Sequence, residues 1–178
     1  MKVLIVSTSI RGGSNSEILA KECEKGAIAA GHEVEFVTLR DKEIKYCIGC
    51  LSCFETQKCV LTDDVAEIRD KVRAADAIVY ATPIYYFEMC GQMKTLLDRM
   101  NPLYTDVYNF RKVYMIATAA DEGDHVFEKA YNGLLGWVDC FKNAELCGLY
   151  AAGGVGDAKV ILHYDEYLKG AYDFGYNL

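Results

Sequence analysis

Five segments of the chain are nearly unbroken apolar runs of strand length, and each is followed by a loop and a stretch whose apolar residues recur at helical spacing. The apolar runs lie at 3–7, 33–39, 76–83, 112–119 and 144–152. The stretches of helical spacing run from Ile18 to Gly31, from Asp63 onward, over 88–100, from Phe127 to Val138, and from about Ala158 towards Tyr172. Apolar strands without polar alternation are typical of a parallel sheet covered on both faces. The pattern therefore predicts an α/β fold, with a five-stranded parallel sheet and helices on both faces as a three-layer sandwich.

Composition narrows the class of protein. The 178 residues carry a net charge of -7, which argues against a partner nucleic acid because such binders normally present a basic face. The longest mostly apolar run, 78–87, is far below the roughly 18 residues of a membrane span. The N-terminus also lacks the pattern of a secretion signal. We expect a single domain over 1–178, located in the cytoplasm, with a cysteine-rich loop at 46–60.

The loop after the first strand, TSIRGGSNSE, is rich in short hydrogen-bonding side chains. In open parallel sheets, ligands bind at the carboxyl ends of the strands, so this loop belongs to the expected site. Its hydroxyls, its amide and one arginine suit a terminal phosphate at the start of a helix. The alternative is an ordinary helix cap made by Ser14 or Asn15. The residues in question are Ser9, Arg11, Ser14, Asn15 and Ser16.

The loop after the third strand begins TPIYYFEM and brings three consecutive aromatic residues to the same edge. Pro83 stiffens the backbone, and Tyr85, Tyr86 and Phe87 offer a surface on which a flat heteroaromatic ligand can stack. The alternative is that these aromatics belong to the core or to an oligomer contact.

Four of the eight cysteines lie within thirteen residues, in the pattern C-x2-C-x2-C-x5-C. Closely spaced cysteines of this kind are typical of iron–sulfur ligation. Structural zinc sites more often use two separated pairs, and a thioredoxin-like pair would leave two of the cysteines unexplained. Free thiols at an oligomer contact remain a further alternative. The candidate metal ligands are Cys47, Cys50, Cys53 and Cys59.

The strings TSIRGGSNSE and TPIYYFEMCGQMKTLLDR together resemble the NADPH-dependent FMN reductase family, whose members have a flavodoxin-like fold. The resemblance implies that Ser9, Arg11, Asn15 and Ser16 bind the FMN phosphate. It also implies that the ribityl chain and the isoalloxazine are lined by Pro83, Ile84, Tyr85 and Tyr86. The predicted FMN-binding set further includes Ser14, Thr82 and Thr118, the last in a loop that by family position faces the pyrimidine edge. Thr8, Ile10 and Ser14 depart from the family's usual Gly, Pro and Gly, and none of these changes removes a phosphate donor.

The cysteine loop, followed by Val60 and Asp63-Asp64, is similar to that of the iron–sulfur flavoproteins, a branch of the same group. That resemblance implies a [4Fe–4S] cluster beside the FMN, often the FMN of a neighbouring subunit. The implied function is an FMN-dependent oxidoreductase with NAD(P)H as co-substrate, a small-molecule or protein electron donor and acceptor as partners, and a homodimer or homotetramer as its assembly. The alternative is a flavodoxin-like electron carrier without turnover of its own. No residue is predicted as a general acid or base.

Overall fold

A computed structural model describes all 178 residues and contains one sheet at its centre. The strands are β1 (Lys2–Ser7), β2 (Glu33–Thr38), β3 (Ala77–Tyr85), β4 (Glu88–Met89), β5 (Lys112–Thr118) and β6 (Glu145–Ala152). Five of them are parallel in the order β2-β1-β3-β5-β6, and β4 pairs antiparallel with the end of β3. The chain reverses its direction of winding between β1 and β3, which opens a crevice at the carboxyl ends of the strands. The predicted flavodoxin-like parallel sheet is confirmed.

Helices cover both faces of this sheet. They are α1 (Asn15–Ala29), α2 (Ser52–Thr56), α3 (Val65–Ala74), α4 (Gly91–Asp98), α5 (Glu128–Val138) and α6 (Asp165–Tyr176). α1 and α6 share one core with side chains such as Ile5 and Val79, while α3, α4 and α5 share the other with Leu4 and Ile78. Successive strand residues thus enter opposite cores, as the period of a strand requires. None of the six helices has the length and apolar character that a bilayer crossing demands.

Two predicted helices begin later than expected. The prediction of a helix over 88–100 is wrong at its start, because Tyr86 and Phe87 turn the chain at φ values of 53° and 66° and let Glu88 and Met89 pair with β3. Positive φ at both central residues is the geometry of a tight two-residue hairpin. The closing helix, expected from about Ala158, begins only at Asp165, after a short 3₁₀ turn over Val160–His163.

Helices α1 and α6 approach each other at glycines. A Cβ atom on Gly175 would overlap the carbonyl oxygen of Cys23, and one on Gly26 would overlap the carbonyl oxygen of Tyr172. Neither oxygen belongs to a flexible side chain, so only a backbone shift could make room. The absence of side chains at these two positions therefore sets the distance between the two helices.

We expect Gly175→Ala to lower the free energy of unfolding by about 1–3 kcal/mol, because the new methyl group forces the helices apart. Urea unfolding followed by circular dichroism measures the change. Gly136→Ala in α5 is the matched control, since no atom lies within 4 Å of its added Cβ. At that position alanine should be neutral or stabilising, as expected in a helix. Equal behaviour of the two variants would contradict the close-packing interpretation.

Candidate functional site

The loops after β1, β3 and β5 meet at the carboxyl edge of the sheet and enclose a cavity of about 130 Å³. Most of the predicted FMN-binding set lines it. These residues are Ser9, Arg11, Ser14, Asn15, Pro83, Ile84, Tyr85 and Thr118. The structure thus brings together side chains that lie more than 100 positions apart in the chain.

A second cavity of about 330 Å³ adjoins the first and shares Ile84, Tyr85, Ala119 and Ala120 with it. Its lining is mainly apolar and includes Tyr86 and Phe87, with Asp121 as its one charged residue. The two cavities form a continuous cleft that is polar at one end and aromatic at the other. Such a cleft suits a ligand with an anionic tail and a flat ring system.

The N-terminus of α1 lies at the polar end of the cleft. Ser14 occupies the capping position, yet its hydroxyl makes no capping hydrogen bond and lies 2.9 Å from the Ser16 hydroxyl instead. The first-turn N–H groups have no partner within the helix, and the helix dipole adds positive potential there. The alternative interpretation, a side-chain cap by Ser14 or Asn15, is not what the structure shows. The helix start is available to an anion.

Arg11 is exposed and extends over the polar end. Its Nη1 donates a hydrogen bond to the carbonyl oxygen of Gly156 at 2.9 Å. Arg40 steadies the loop from below, since its guanidinium pairs with Glu17 and donates to the carbonyl oxygen of Arg11 at 3.4 Å. The Arg11 guanidinium keeps further N–H groups for a ligand beyond the one bonded to Gly156.

Asn15 lines the cavity, but its side chain does not point a free amide at the expected phosphate position. Its Nδ2 donates to the carbonyl oxygens of Val155 and Asp157, both at 2.8 Å, and its Oδ1 accepts from the Ile161 N–H at 3.3 Å. The side chain therefore holds the segment after β6, and its backbone N–H is the group left at the helix start. Sequence reasoning missed this segment, although the glycine-rich string GGVGD after the last strand was a signal for it.

Ser16 and Thr82 are fully buried and do not line the cleft. The Thr82 hydroxyl donates to the carbonyl oxygen of Pro83 at 2.9 Å and accepts from the Cys90 N–H at 3.1 Å. It thereby fixes the start of α4 against the end of β3. These two residues support the walls of the cleft from behind.

The aromatic end of the cleft is formed by the hairpin after β3. Tyr86 at its tip is 98% exposed. Phe87 packs near the His125 ring, and the Lys129 ammonium lies 5.6 Å from its centroid, within the range of a cation–π contact. Left-handed backbone at two bulky residues is costly and tends to occur at functional sites. The hairpin holds its aromatic rings at the mouth of the cleft.

The cysteine-rich loop forms a separate small cavity of about 20 Å³, lined by all four candidate cysteines together with Arg99 and Pro102. No three of these thiols are grouped closely enough in the structure to hold a metal ion. Hydrogen bonds from Ser52 lower the pKa of the Cys50 thiol, whereas burial and the neighbouring thiolates raise the pKa of Cys53. The four cysteines share one cavity, but their sulfurs are not arranged as a formed metal centre.

A buried ion pair anchors this loop at both ends. Arg99 Nη1 and Nη2 donate to the Asp63 carboxylate at 2.6 and 3.0 Å, and Nη1 also donates to the carbonyl oxygen of Lys45 at 2.6 Å. Asp63 accepts the N–H groups of Lys45 and Val65 at 2.9 and 3.1 Å. Residues 45 and 63 flank the cysteines, so the pair closes the loop. Sequence reasoning placed Asp63 at a helix start and in the resemblance to the iron–sulfur flavoproteins, and it gave no role to Arg99.

Four cysteines lie outside the loop. Of these, Cys23 and Cys90 are buried, and Cys140 and Cys147 are exposed. The sequence places all four in apolar segments and so predicts that they are small core residues, which is correct for the buried pair and wrong for the exposed pair. Cys140 follows the end of α5 and Cys147 lies on the edge strand β6, where a local apolar pattern does not guarantee burial.

The chain is similar in sequence to curated proteins and similar in fold to solved structures. An iron-sulfur flavoprotein of Methanocaldococcus jannaschii is 42% identical over 103 residues, which cover 58% of this chain and 53% of that protein. An iron-sulfur flavoprotein of Methanosarcina thermophila is 36% identical over 99 residues, covering 56% and 52%. The chain thus spans about half the length of the curated relatives it matches.

Among solved structures, an NAD(P)H:quinone oxidoreductase from Methanothermobacter marburgensis superposes with a TM-score of 0.77 at 19% identity, covering 99% of this chain and 95% of the other. At that identity the likeness establishes the fold. The model of the NADPH-dependent FMN reductase family matches residues 1–141, well over half of the chain. On the strength of this match and the cleft that its residues form, the chain belongs to the NADPH-dependent FMN reductase family.

Proposed function

We propose that the protein is an FMN-dependent oxidoreductase that takes electrons from NAD(P)H and passes them to a small-molecule or protein acceptor. The observation that carries this proposal is the continuous cleft, with a helix N-terminus at one end and aromatic side chains at the other. Family membership supports the same activity. In this proposal residues 1–178 act as a single FMN-binding domain, with the cysteine-rich loop at 46–60 attached to it.

The polar end is proposed to bind the FMN phosphate. Ser9 and Ser14 offer hydroxyl groups there, and Arg11 offers a planar cation that matches two phosphate oxygens. Asn15 and Ser16 contribute backbone N–H groups of the first turn of α1, where the dipole favours an anion. The side chain of Asn15 keeps the segment after β6 in place as the far wall.

The aromatic end is proposed to hold the ribityl chain and the isoalloxazine. Pro83 and Ile84 form the rigid edge of β3, Tyr85 and Tyr86 the aromatic side, and Thr118 the start of the opposite loop. Thr82 stiffens this edge from below. FMN bound there would supply the redox chemistry of the site, which is hydride and electron transfer. The chain's own residues would orient the ring, and the exposed Tyr86 lies at the open mouth of the cleft.

The cysteine loop is proposed to hold a [4Fe–4S] cluster through Cys47, Cys50, Cys53 and Cys59. The four cysteines line one cavity and are a suitable donor set by their chemistry, and their thiols would have to draw together to hold a cluster, because no three of them are grouped as metal ligands in the structure. The buried guanidinium of Arg99 beside them would supply counter-charge. The iron-sulfur flavoproteins among the relatives support the same assignment. Metal analysis that finds zinc, or no metal at all, in this loop would contradict the cluster.

The experiment that tests the function is anaerobic purification followed by a visible spectrum, iron and sulfide analysis, and NADH and NADPH oxidation with a quinone acceptor. Flavin bands with turnover support the proposal. Flavin bands without turnover indicate an electron carrier and contradict the enzyme assignment. Colourless protein that rejects added FMN overturns the proposal as a whole.

We expect Cys50→Ser to lose at least half of its bound iron while FMN binding is unchanged, because Cys50 belongs to the loop and not to the cleft. Iron analysis and flavin fluorescence titration measure the two quantities. Cys140→Ser is the matched control, an exposed cysteine outside the loop. Full iron content in the Cys50 variant would contradict its assignment as a ligand.

The proposed assembly is a homodimer or homotetramer, and the proposed location is the cytoplasm. Large apolar side chains are exposed beside the cleft and in the cysteine loop, among them Tyr86, Tyr46 and Ile48. None of the eight cysteines is paired in a disulfide, which fits a reducing compartment. Sedimentation equilibrium tests the assembly, and a mass of one 19.9 kDa chain would contradict it.

A further inference from the structure

Arg99 has a buried donor that nothing in the chain satisfies. Its side chain is 1% exposed, and both terminal nitrogens are engaged by Asp63 and by the carbonyl oxygen of Lys45. The third donor, the Nε–H group, is buried without any hydrogen-bond acceptor. A buried N–H left without a partner is costly, so an orphaned donor in an otherwise fixed guanidinium calls for an explanation.

The position of Arg99 explains why its Nε–H group has no partner. Arg99 is part of the lining of the cavity that the four loop cysteines share. Its two anchors, Lys45 and Asp63, lie just before and just after those cysteines in the chain. The guanidinium is therefore held where the two ends of the loop come together, and any group bound by the four sulfurs would have this cation as a neighbour.

The charge state of Arg99 is secure in that position. Burial by itself disfavours the charged form, but the hydrogen bonds to the Asp63 carboxylate outweigh it and raise the pKa of the guanidinium. Arg99 and Cys59 line the same cavity, so the cation and the cysteine loop are neighbours.

We propose that Arg99 donates a hydrogen bond from its Nε–H group to a sulfur atom of the iron–sulfur group held by the four-cysteine loop, and thereby raises the reduction potential of that group. The inference rests on the proposed function, since it needs the cluster. Hydrogen bonds to the sulfurs and nearby positive charge both favour the reduced state, which carries the additional electron. Arg99 would thus contact the group directly, and Asp63 is the positioning residue that holds Arg99 in place.

The test is the midpoint potential of the cluster in Arg99→Lys, measured by a redox titration followed by electron paramagnetic resonance. Lysine keeps a positive charge and removes the Nε–H group, together with one of the two terminal nitrogens that bond Asp63. We expect the equilibrium constant for one-electron reduction to fall about tenfold, which is about 59 mV, with the iron and sulfide content unchanged. Arg69→Lys is the matched control, because Arg69 pairs with Asp70 on α3 and lies outside the cysteine cavity. An unchanged potential in an iron-loaded Arg99→Lys protein would overturn the inference.

A second measurement needs no variant and therefore holds if Arg99→Lys fails to fold. Wild-type protein labelled with ¹⁵Nε-arginine is reduced, and pulsed electron paramagnetic resonance records the coupling of the cluster spin to nitrogen. Coupling to one arginine nitrogen is expected, since Arg99 is the arginine in the lining of the cavity. A cluster signal without this coupling overturns the inference alone, whereas iron-free wild-type protein overturns the proposed cluster as well.

Discussion

Arg11→Glu is expected to weaken FMN binding by about a hundredfold while leaving the affinity for riboflavin nearly unchanged. The substitution replaces a cation by an anion at the polar end of the cleft, so the phosphate loses an attraction and gains a repulsion. Each charge step is worth about 1–2 kcal/mol at a partly solvated site, and 1.4 kcal/mol corresponds to a factor of ten. Flavin fluorescence titration with FMN and with riboflavin measures both affinities.

Riboflavin separates the phosphate contact from the rest of the cleft, because it lacks the phosphate and keeps the ring. Lys25→Glu is the matched control, a reversal of charge at an exposed position of α1, where its partner is Glu22. The control should bind FMN as the wild type does. If Arg11→Glu weakened both flavins equally, the residue would act on the shape of the loop and its assignment to the phosphate would be wrong.

Asp63→Asn is expected to lower the free energy of unfolding by about 3–5 kcal/mol at neutral pH, because it leaves the Arg99 guanidinium buried without its counter-ion. Urea unfolding measures the loss. Asp70→Asn is the matched control, since Asp70 pairs with Arg69 at the surface and should cost less than about 1 kcal/mol. A similar small loss at Asp63 would show that the buried pair contributes little.

The same variant has a defined pH dependence. Burial acts to raise the pKa of Asp63, but the Arg99 hydrogen bond and the backbone N–H groups outweigh it and lower the pKa below its ordinary 3.8. A lowered folded-state pKa stabilises the fold above the unfolded value and is lost as the pH falls through the folded value. The difference in stability between wild type and Asp63→Asn should therefore be full above pH 4 and shrink below it. A constant difference down to pH 2 would contradict the ionised pair.

Removing both charges shows how much of the stability lost in Asp63→Asn comes from the unpaired charge and how much from the changed packing. In the double variant Arg99→Gln with Asp63→Asn, neither buried charge remains, so part of the stability lost in Asp63→Asn should return. Urea unfolding of the double variant beside both single variants, Asp63→Asn and Arg99→Gln, measures the recovery. A double variant as unstable as the sum of the two single variants would mean that the two side chains act independently.

The sequence predicted the sheet well because buried parallel strands leave a local trace. Runs such as 3–7 and 112–119 are apolar on both faces, and that property is readable without any tertiary information. Element boundaries were less predictable. The apolar and polar spacing over 88–100 is helical throughout, and pairing with β3 nevertheless takes residues 88 and 89 into a strand. Hydrogen bonds to a distant strand are not visible in a local pattern.

In the candidate site too, roles that depend on neighbouring residues were predictable and roles that depend on distant residues were not. Ser9, Arg11 and Ser14 were predictable because they follow a strand and precede a helix, and the structure places them on one cavity. The side chain of Asn15 was not, because its partners are 140 and 142 positions away in the chain. The role of the segment after β6 follows only from those long-range contacts.

By itself, the sequence determined the alternation of buried strands and helices, the loops at the carboxyl edge of the sheet, and the four cysteines that share one loop. These features depend on residues close together in the chain, so their spacing is enough. Only the tertiary structure decided that Arg99 is buried against Asp63, 36 residues away, and that it faces the cysteine cavity. A buried charge is tolerated only where the fold brings an opposite charge into contact with it, and a local pattern of hydrophobic and polar residues does not show such a long-range contact.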